Sequence, residues 1–444
     1  MPPKLATQAP SSASPLPPEA GKTAPGGPGR LGPGLVTGGS DDDPSGIATY
    51  SQAGAGYGFS LLWTMVLTVP LMCAIQEISA RIGRVTGRGI AGNLRRHYAS
   101  WVLYPVVVVL VVANTLNLGA DIGAMGAALQ LLIGGPALLY AVGFAALCLA
   151  LEILVKYERY SRLLKWLTLV LFSYVVTVFF VRVPWGRVAA GTFLPALSKG
   201  RAYWGTIVAI FGTTISPYLF FWQASQETEE IRDHPQEQAL KGHPSQARLQ
   251  FGRIRFDTIV GMLLSNVVAY AIILAAGATL HAHGVTDIQT ASQAAEALRP
   301  LAGAFAFTLF ALGIIGTGLL AVPILAGSAA YAVGEALKWP TGLDREPLHA
   351  KGFYGVLAAA TLLGLALNFP LVQRHFHVTP IKALFVCAII NGVAAVPIMV
   401  MVMLLAGNAK AMGRFTLGPG KLRLLGWLAT AVMLAAAVGL FATW

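Results

Sequence analysis

Three consecutive aspartates, Asp41, Asp42 and Asp43, stand inside an apolar, glycine-rich stretch at residues 31–58 and run straight into Pro44-Ser45-Gly46. Ionisable groups within membrane-length apolar segments are rare and mark ion paths. Residues 31–39 alone are too short to span, so the aspartates fall near mid-depth if the segment crosses. A carboxylate there suits a cation, and the half-helix before it turns its negative dipole end toward the same gap. The alternative is a solvated loop in which the aspartates cap the next helix. A second interruption, Gly212-Thr213-Thr214-Ile215-Ser216-Pro217, lies within residues 203–226. It offers the hydroxyls of Thr213, Thr214 and Ser216 and the carbonyls freed by the break. Those hydroxyls either line a site or satisfy the interrupted ladder. Oxygen donors without thioether or imidazole suit hard cations such as magnesium, manganese or calcium.

Other polar residues within apolar stretches carry weaker signals. Asp121 follows Asn114 and Asn117 on one stretch and is placed to relay protons or pair with a cation. Gln223, Gln226, Glu227, Glu229 and Glu230 follow the second break, as a vestibule that attracts cations or as a solvated helix end. Glu77, beside Gln76, and Glu152, near Lys156, read as interfacial groups with basic neighbours. Asn266 and Asn391 are candidates for interhelical hydrogen bonds; Asn391, ahead of a glycine and a proline, is kept as a possible site residue. His281, His283, His375 and His377 are placed outside, with no metal role. Hydrolytic triads, P-loops and HExxH-type motifs are absent from the sequence, which therefore reads as no enzyme and needs no cofactor.

The elements that must position these groups are membrane helices. The 444 residues are 55% hydrophobic and only 11% charged, far more apolar than a soluble domain. A net charge of +12 resides in short loops between apolar spans, which reads as topology rather than nucleic-acid binding. Cys73, Cys148 and Cys387 fall in apolar spans without metal or disulfide spacing. Residues 1–30, rich in Pro, Ala, Gly and Ser, read as a disordered cytoplasmic tail without a signal peptide. Eleven spans follow, near 31–58, 59–81, 101–133, 136–155, 163–183, 203–226, 258–280, 303–334, 353–372, 379–406 and 425–443. With the N-terminus cytoplasmic, 24 of the 31 Lys and Arg residues fall inside, which leaves the C-terminus external. Spans one to five and six to ten then form inverted halves, residues 31–200 and 201–406, with residues 407–444 as a loop and final helix. Each half opens with a broken helix. A proline in a membrane helix removes a donor and breaks the ladder, and hydrocarbon tolerates that only beside a cavity or protein. Such paired breaks mark the substrate site of a secondary transporter.

Three patches resemble the NRAMP family of divalent metal transporters. Gly32-Pro33-Gly34 followed by Asp43-Pro44-Ser45-Gly46 is similar to the family's G-P-G then D-P-G-N. Residues 76–87, QEISARIGRVTG, resemble the end of its second helix, and Asp257-Thr258-Ile259-Val260-Gly261-Met262 with Ser265-Asn266 resembles its seventh. The resemblance implies an all-α LeuT-type fold of five-plus-five inverted repeats with broken helices one and six. It places the family's metal-binding aspartate on Asp43. The departures are specific. The family's asparagine ligand falls on Gly46, and its Met-Pro-His on Ser216-Pro217-Tyr218, so a soft sulfur becomes a hydroxyl and a histidine becomes a phenol. Its third-helix acidic pair is met by Asp121 alone, with Leu118 near the partner position. Smaller groups at two ligand positions leave a wider, oxygen-lined site, similar to the prokaryotic NRAMP-related magnesium transporters.

The resulting expectation is a multi-pass protein of the prokaryotic plasma membrane that moves magnesium or manganese, ahead of iron, by alternating access with weak or absent proton coupling. Asp43, Asp42, Gly46, Thr213, Thr214, Ser216, Tyr218 and Asn391 would form the metal site, and Asp121, Asn117, Gln223 and Glu227 an ion or proton path. A monomer is compatible with the sequence. The rival readings are a transporter of a small organic solute on the same scaffold and a non-transporting sensor derived from a transporter.

Overall fold

A computed structural model describes residues 33–155, 169–195, 197–198, 200–234, 236–372 and 379–443. The tail at 1–30, Gly32, the basic loop from Lys156 to Lys165, the start of the fifth span, and His375 and His377 lie outside the described residues.

The break in the first span is written in its capping chemistry. Helix α1 (Pro33–Asp41) ends at the aspartates and α2 (Pro44–Tyr57) begins after two intervening residues, Asp42 and Asp43. Asp43 is the N-cap of α2, with extended backbone, and its side chain accepts from the Gly46 N–H; Pro44 follows in the first turn. A carboxylate cap followed by proline is a strong helix start, because the missing proline N–H would have had no partner anyway. Helix α3 (Leu62–Thr86) stops at Gly87, whose φ of 62° is open to glycine at little cost. The short α4 (Ile90–His97) precedes the long apolar α5 (Ser100–Ile133) and α6 (Ala137–Leu154). Helices α7 (Phe172–Thr177) and α8 (Trp185–Phe193) follow.

The second broken helix is α9 (Arg201–Thr214) and α10 (Pro217–Asp233), with Ser216 at the N-cap and Pro217 in the first turn. Then come α11 (Ala247–Thr279), α12 (Ala306–Leu337), α13 (Lys351–Ala366), α14 (Pro380–Ala406) and α15 (Lys421–Ala442). Among the described residues, eight helical stretches are long and apolar enough to cross a membrane, and α13, with 16 residues, is a shorter apolar helix. The chain is thus an all-helical membrane protein. The seventh helix begins earlier than its apolar run, so Arg248, Arg253 and Arg255 ride on α11 rather than in a loop.

Small residues set how closely the broken helices are held. Helix α1 packs on α11, and α9 on α14. A Cβ added at Gly38 would lie 2.3 Å from the Gly261 carbonyl carbon, and one at Gly212 would lie 2.1 Å from the Ala388 oxygen. Backbone meets backbone at both crossings, as small residues allow between membrane helices. Gly212→Val is therefore expected to lower stability by about 1–3 kcal/mol, the cost of overpacking where no side chain can yield. Thermal unfolding in detergent checks this; an unchanged midpoint would show that α9 and α14 separate freely.

Candidate functional site

The two breaks face one another in the interior. Asp41, Asp42 and Asp43 are 1%, 4% and 2% exposed, so a solvated capping loop is not what forms here. Asp43 does cap, but as a buried group: one carboxylate oxygen accepts from the Gly46 N–H (2.7 Å) and the Ser45 hydroxyl (2.6 Å), the other from the Asn117 amide (2.9 Å). Asp41 turns the other way, to α11, where the Ser265 hydroxyl donates to it at 2.7 Å. The three carboxylates do not meet at one point. Among the described residues, no three His, Cys, Asp or Glu side chains converge as a ready-made metal cluster.

Across the gap the hydroxyls are engaged with their own helix. Ser216 donates to the Gly212 (2.8 Å) and Thr213 (2.7 Å) carbonyls, and Thr214 to Ile210 (3.0 Å). Thr213 lies 3.1 Å from the Ile210 carbonyl and 2.9 Å from the Tyr50 hydroxyl. The second break is thus capped backwards by hydroxyls, while the first is capped forwards by a carboxylate. The hydroxyl oxygens keep lone pairs, but their protons are committed to the interrupted ladder. Tyr218, fully buried, donates to the Ser40 carbonyl at 2.9 Å and so ties the two breaks together. A Cβ at Gly46 would sit 3.3 Å from both the Asp41 carbonyl and the Tyr50 ring, so larger side chains fit poorly there.

On α5, Asn114, Asn117 and Asp121 lie on one buried face. Neither oxygen of Asp121 has a hydrogen-bond partner among the described residues, and the Asn117 carbonyl oxygen is likewise unpaired. Asp121 lies close enough to Asp43 for charge repulsion, with the Ser45 backbone N–H nearby. Asn391 on α14 is buried with both amide atoms unpartnered. Asn266 donates to Thr68 at 3.2 Å between α11 and α3. Glu152 is buried and neither of its oxygens has a partner among the described residues; Lys156, its expected neighbour, lies outside them. Glu77 does pair with Arg81, at 2.5 Å.

The acidic end of α10 is neither an open vestibule nor a solvated terminus. Gln223 is buried, accepting from Thr37 on α1 at 2.6 Å and from Gln76 on α3 at 3.4 Å. Glu227 is buried and ion-paired to Arg253 at 2.6 Å, with Arg84 at 3.8 Å. Partner groups on helices distant in sequence account for the difference, and the spacing of charges along one helix carries no sign of them. On the opposite side of the breaks, a cavity of about 830 Å³ reaches from Arg201 and Lys382 down to Ala48 and Ile390, one residue from Asn391. Ser45, Tyr50 and Ser265 are the site groups that sequence reasoning missed as contacts; Ser45 and Ser265 carried a signal, through their places in the first-helix and seventh-helix motifs, and Tyr50 carried none.

Comparison with known proteins follows from this geometry. A family model described as natural resistance-associated macrophage protein-like, Nramp, matches residues 34–443. The divalent metal cation transporter MntH of Klebsiella pneumoniae (strain 342) is 27% identical over 298 residues, 65% of this chain and 68% of the relative. The manganese transporter of Eremococcus coleocola, solved with an aromatic bis-isothiourea compound, superposes with a TM-score of 0.70 at 17% identity, covering 93% of this chain and 86% of that one. MhsT, solved with L-phenylalanine, gives 0.59 at 14% identity, covering 93% and 97%. These structural likenesses show the fold, which is LeuT-like. With the family model running over almost all of the described chain, the protein belongs to the natural resistance-associated macrophage protein-like (Nramp) family.

Proposed function

We propose that this protein is a secondary transporter for a divalent metal cation, magnesium or manganese ahead of iron, working by alternating access with weak or absent proton coupling. The observation that carries the reading is Asp43, a buried carboxylate held by three hydrogen bonds at the junction of two broken helices. Its relative from Klebsiella pneumoniae is a divalent metal cation transporter. In this reading Asp43 is the main charge partner, and carbonyls or hydroxyls near Thr213, Thr214 and Ser216 complete the shell, in part through water. Asn391, Asn117 and Asp121 flank the ion, and Gln223 and Glu227 lie on its path. Selectivity follows from donor chemistry: Ser216 and Gly46 supply neither a sulfur nor a side-chain amide, and oxygen donors suit hard cations such as magnesium or manganese. Tyr218 holds a helix carbonyl and is no proton acceptor near neutral pH, which supports weak coupling.

The same reading takes eleven spans in two inverted halves, a cytoplasmic N-terminus, an external C-terminus and a plasma-membrane location. The 830 Å³ cavity then opens outward, and the Glu227–Arg253 pair closes the cytoplasmic side.

Uptake into proteoliposomes tests it. Magnesium and manganese are expected to enter, with little change when a proton gradient is applied. Each is expected to raise the unfolding midpoint; an ion at a hundred times its Kd stabilises by about 2.7 kcal/mol. Iron uptake driven strongly by protons, with no magnesium or manganese flux, would overturn the selectivity. Stabilisation by amino acids and by no divalent ion would favour the organic-solute reading instead.

A further inference from the structure

We propose that Asp41, Asp42 and Ser265 form a second site for a hard divalent cation, separate from the one assigned to Asp43. The inference rests on the reading that the chain handles divalent cations, and it divides the aspartate triplet by what each side chain touches. Asp43 faces α5, and both its oxygens are occupied by donors. Asp41 faces α11 through Ser265, and Asp42 lies within reach of the same hydroxyl. Asp41 and Asp42 each keep one oxygen, Oδ1, buried without a hydrogen-bond partner. None of the described ion pairs reaches either group.

Two adjacent, nearly unexposed carboxylates beside the Ser265 hydroxyl, with no described ion pair to either, leave charge to be neutralised. A buried carboxylate without a partner is costly enough that the native protein must supply a cation or a proton. Two features favour a cation. The open oxygens are acceptors with nothing to accept from, and Ser265 adds a third oxygen from another helix. Helix α1 also ends here, so the negative end of its dipole adds potential at the same point. Two carboxylates and a hydroxyl are too few for a calcium cage but suit magnesium or manganese, which take one or two carboxylates and fill the rest of the shell with water. The site sits at the α1–α11 crossing rather than against α5, so the two ions would share the break without sharing a carboxylate.

The measurement is the number of Mn²⁺ ions bound per chain, by equilibrium dialysis and elemental analysis of purified protein. Wild type is expected to bind two. Asp41→Asn/Asp42→Asn is expected to bind one, and Asp43→Asn the other one. Ser265→Ala, which removes only a hydroxyl, is expected to weaken one of the two ions severalfold and leave the other unchanged; it decides the matter if the double variant fails to fold. One ion in wild type, lost in Asp43→Asn and unaffected by Ser265→Ala, overturns the second site and leaves the transporter reading standing. Two ions that survive the double variant and Ser265→Ala overturn this assignment as well. No ion bound by wild type overturns both readings.

Discussion

Asp43→Asn is expected to abolish divalent-ion uptake while leaving the fold at least as stable as wild type, whereas Asp43→Ala loses both. The difference separates the two duties of this residue. As an N-cap, Asp43 needs one acceptor oxygen for the Gly46 N–H and the Ser45 hydroxyl. Asparagine keeps that oxygen and is as good a cap as aspartate. Its new amide would face the Asn117 amide, now 2.9 Å from the other carboxylate oxygen. Asn117 can turn over and present its own carbonyl, which has no partner in the present arrangement. The hydrogen bonds then close again and only the charge is lost. A buried charge without its ion is a cost to the apo protein, so the apo midpoint of Asp43→Asn should equal or exceed that of wild type.

Alanine instead leaves the Gly46 N–H, Ser45 and Asn117 without their acceptor. The lost cap costs about 1 kcal/mol, and each buried donor left unsatisfied adds about 1–3 kcal/mol. For transport, the charge is what counts in both variants. Losing one charge-assisted contact of about 3 kcal/mol corresponds to roughly a hundredfold weaker ion binding. Proteoliposome uptake and thermal unfolding, run on the same preparations, read the two duties separately. Wild-type uptake by Asp43→Asn would remove Asp43 from the ion site and leave it a helix cap alone.

How much of this was legible beforehand depends on whether a signal is local. The two breaks were, because Asp43-Pro44 and Ser216-Pro217 carry cap and helix start in adjacent residues. The long apolar runs of α5, α6, α12 and α14 were legible for the same reason: burial in lipid requires a continuous apolar stretch. The orientation of the aspartates was not. Successive residues at a helix junction diverge, and only the packing partners, Asn117 on α5 and Ser265 on α11, show that Asp43 and Asp41 part company. The acidic run after the second break misleads for a related reason. Glu227, Glu229 and Glu230 look like a solvated helix end until Arg84, Arg253 and Tyr331 arrive from other helices. Pairing with side chains on other helices, from 26 to more than a hundred residues away, leaves no periodic trace.

Arg84→Ala is expected to shift the protein toward a state open on the proposed cytoplasmic side. Arg84 on α3 is fully buried and ion-pairs with Glu237, with Glu230 on α10 at 3.9 Å. Arg253 on α11 holds Glu227 and Glu230 at 2.6 and 2.9 Å. The other face of α10 is tied to α12 and the segment beyond it. Glu229 accepts from Tyr331 (2.5 Å) and the Leu343 N–H (3.0 Å), and Arg232 donates to the Thr341 carbonyl (2.9 Å). In the proposed cycle, a path from Asp43 to the cytoplasmic side requires this half-helix to leave both sets of partners. Removing one member of a buried ion cluster costs about 3–5 kcal/mol, because its counter-charges stay behind unpaired. That cost falls on the closed state, since opening returns the carboxylates to water, and each 1.4 kcal/mol of difference moves the population about tenfold.

A cysteine at Thr228, 5% exposed in the closed arrangement, reports the change once Cys73, Cys148 and Cys387 are replaced by serine. Arg84→Ala should raise its labelling rate from the cytoplasmic side by at least about tenfold. Arg84→Lys should fall between, keeping the charge but losing the planar fork. The Arg84–Glu237 contact itself should be indifferent to mild acid. Partial burial pushes the Glu237 carboxyl up, but the hydrogen bond and charge of Arg84 outweigh it, and the group titrates below the ordinary glutamate range. A depressed carboxylate stabilises fully above its unfolded pKa, and the contribution is lost only as pH falls through the folded value. Equal labelling of wild type and a folded Arg84→Ala variant would show that the cluster glues helices together without gating the path.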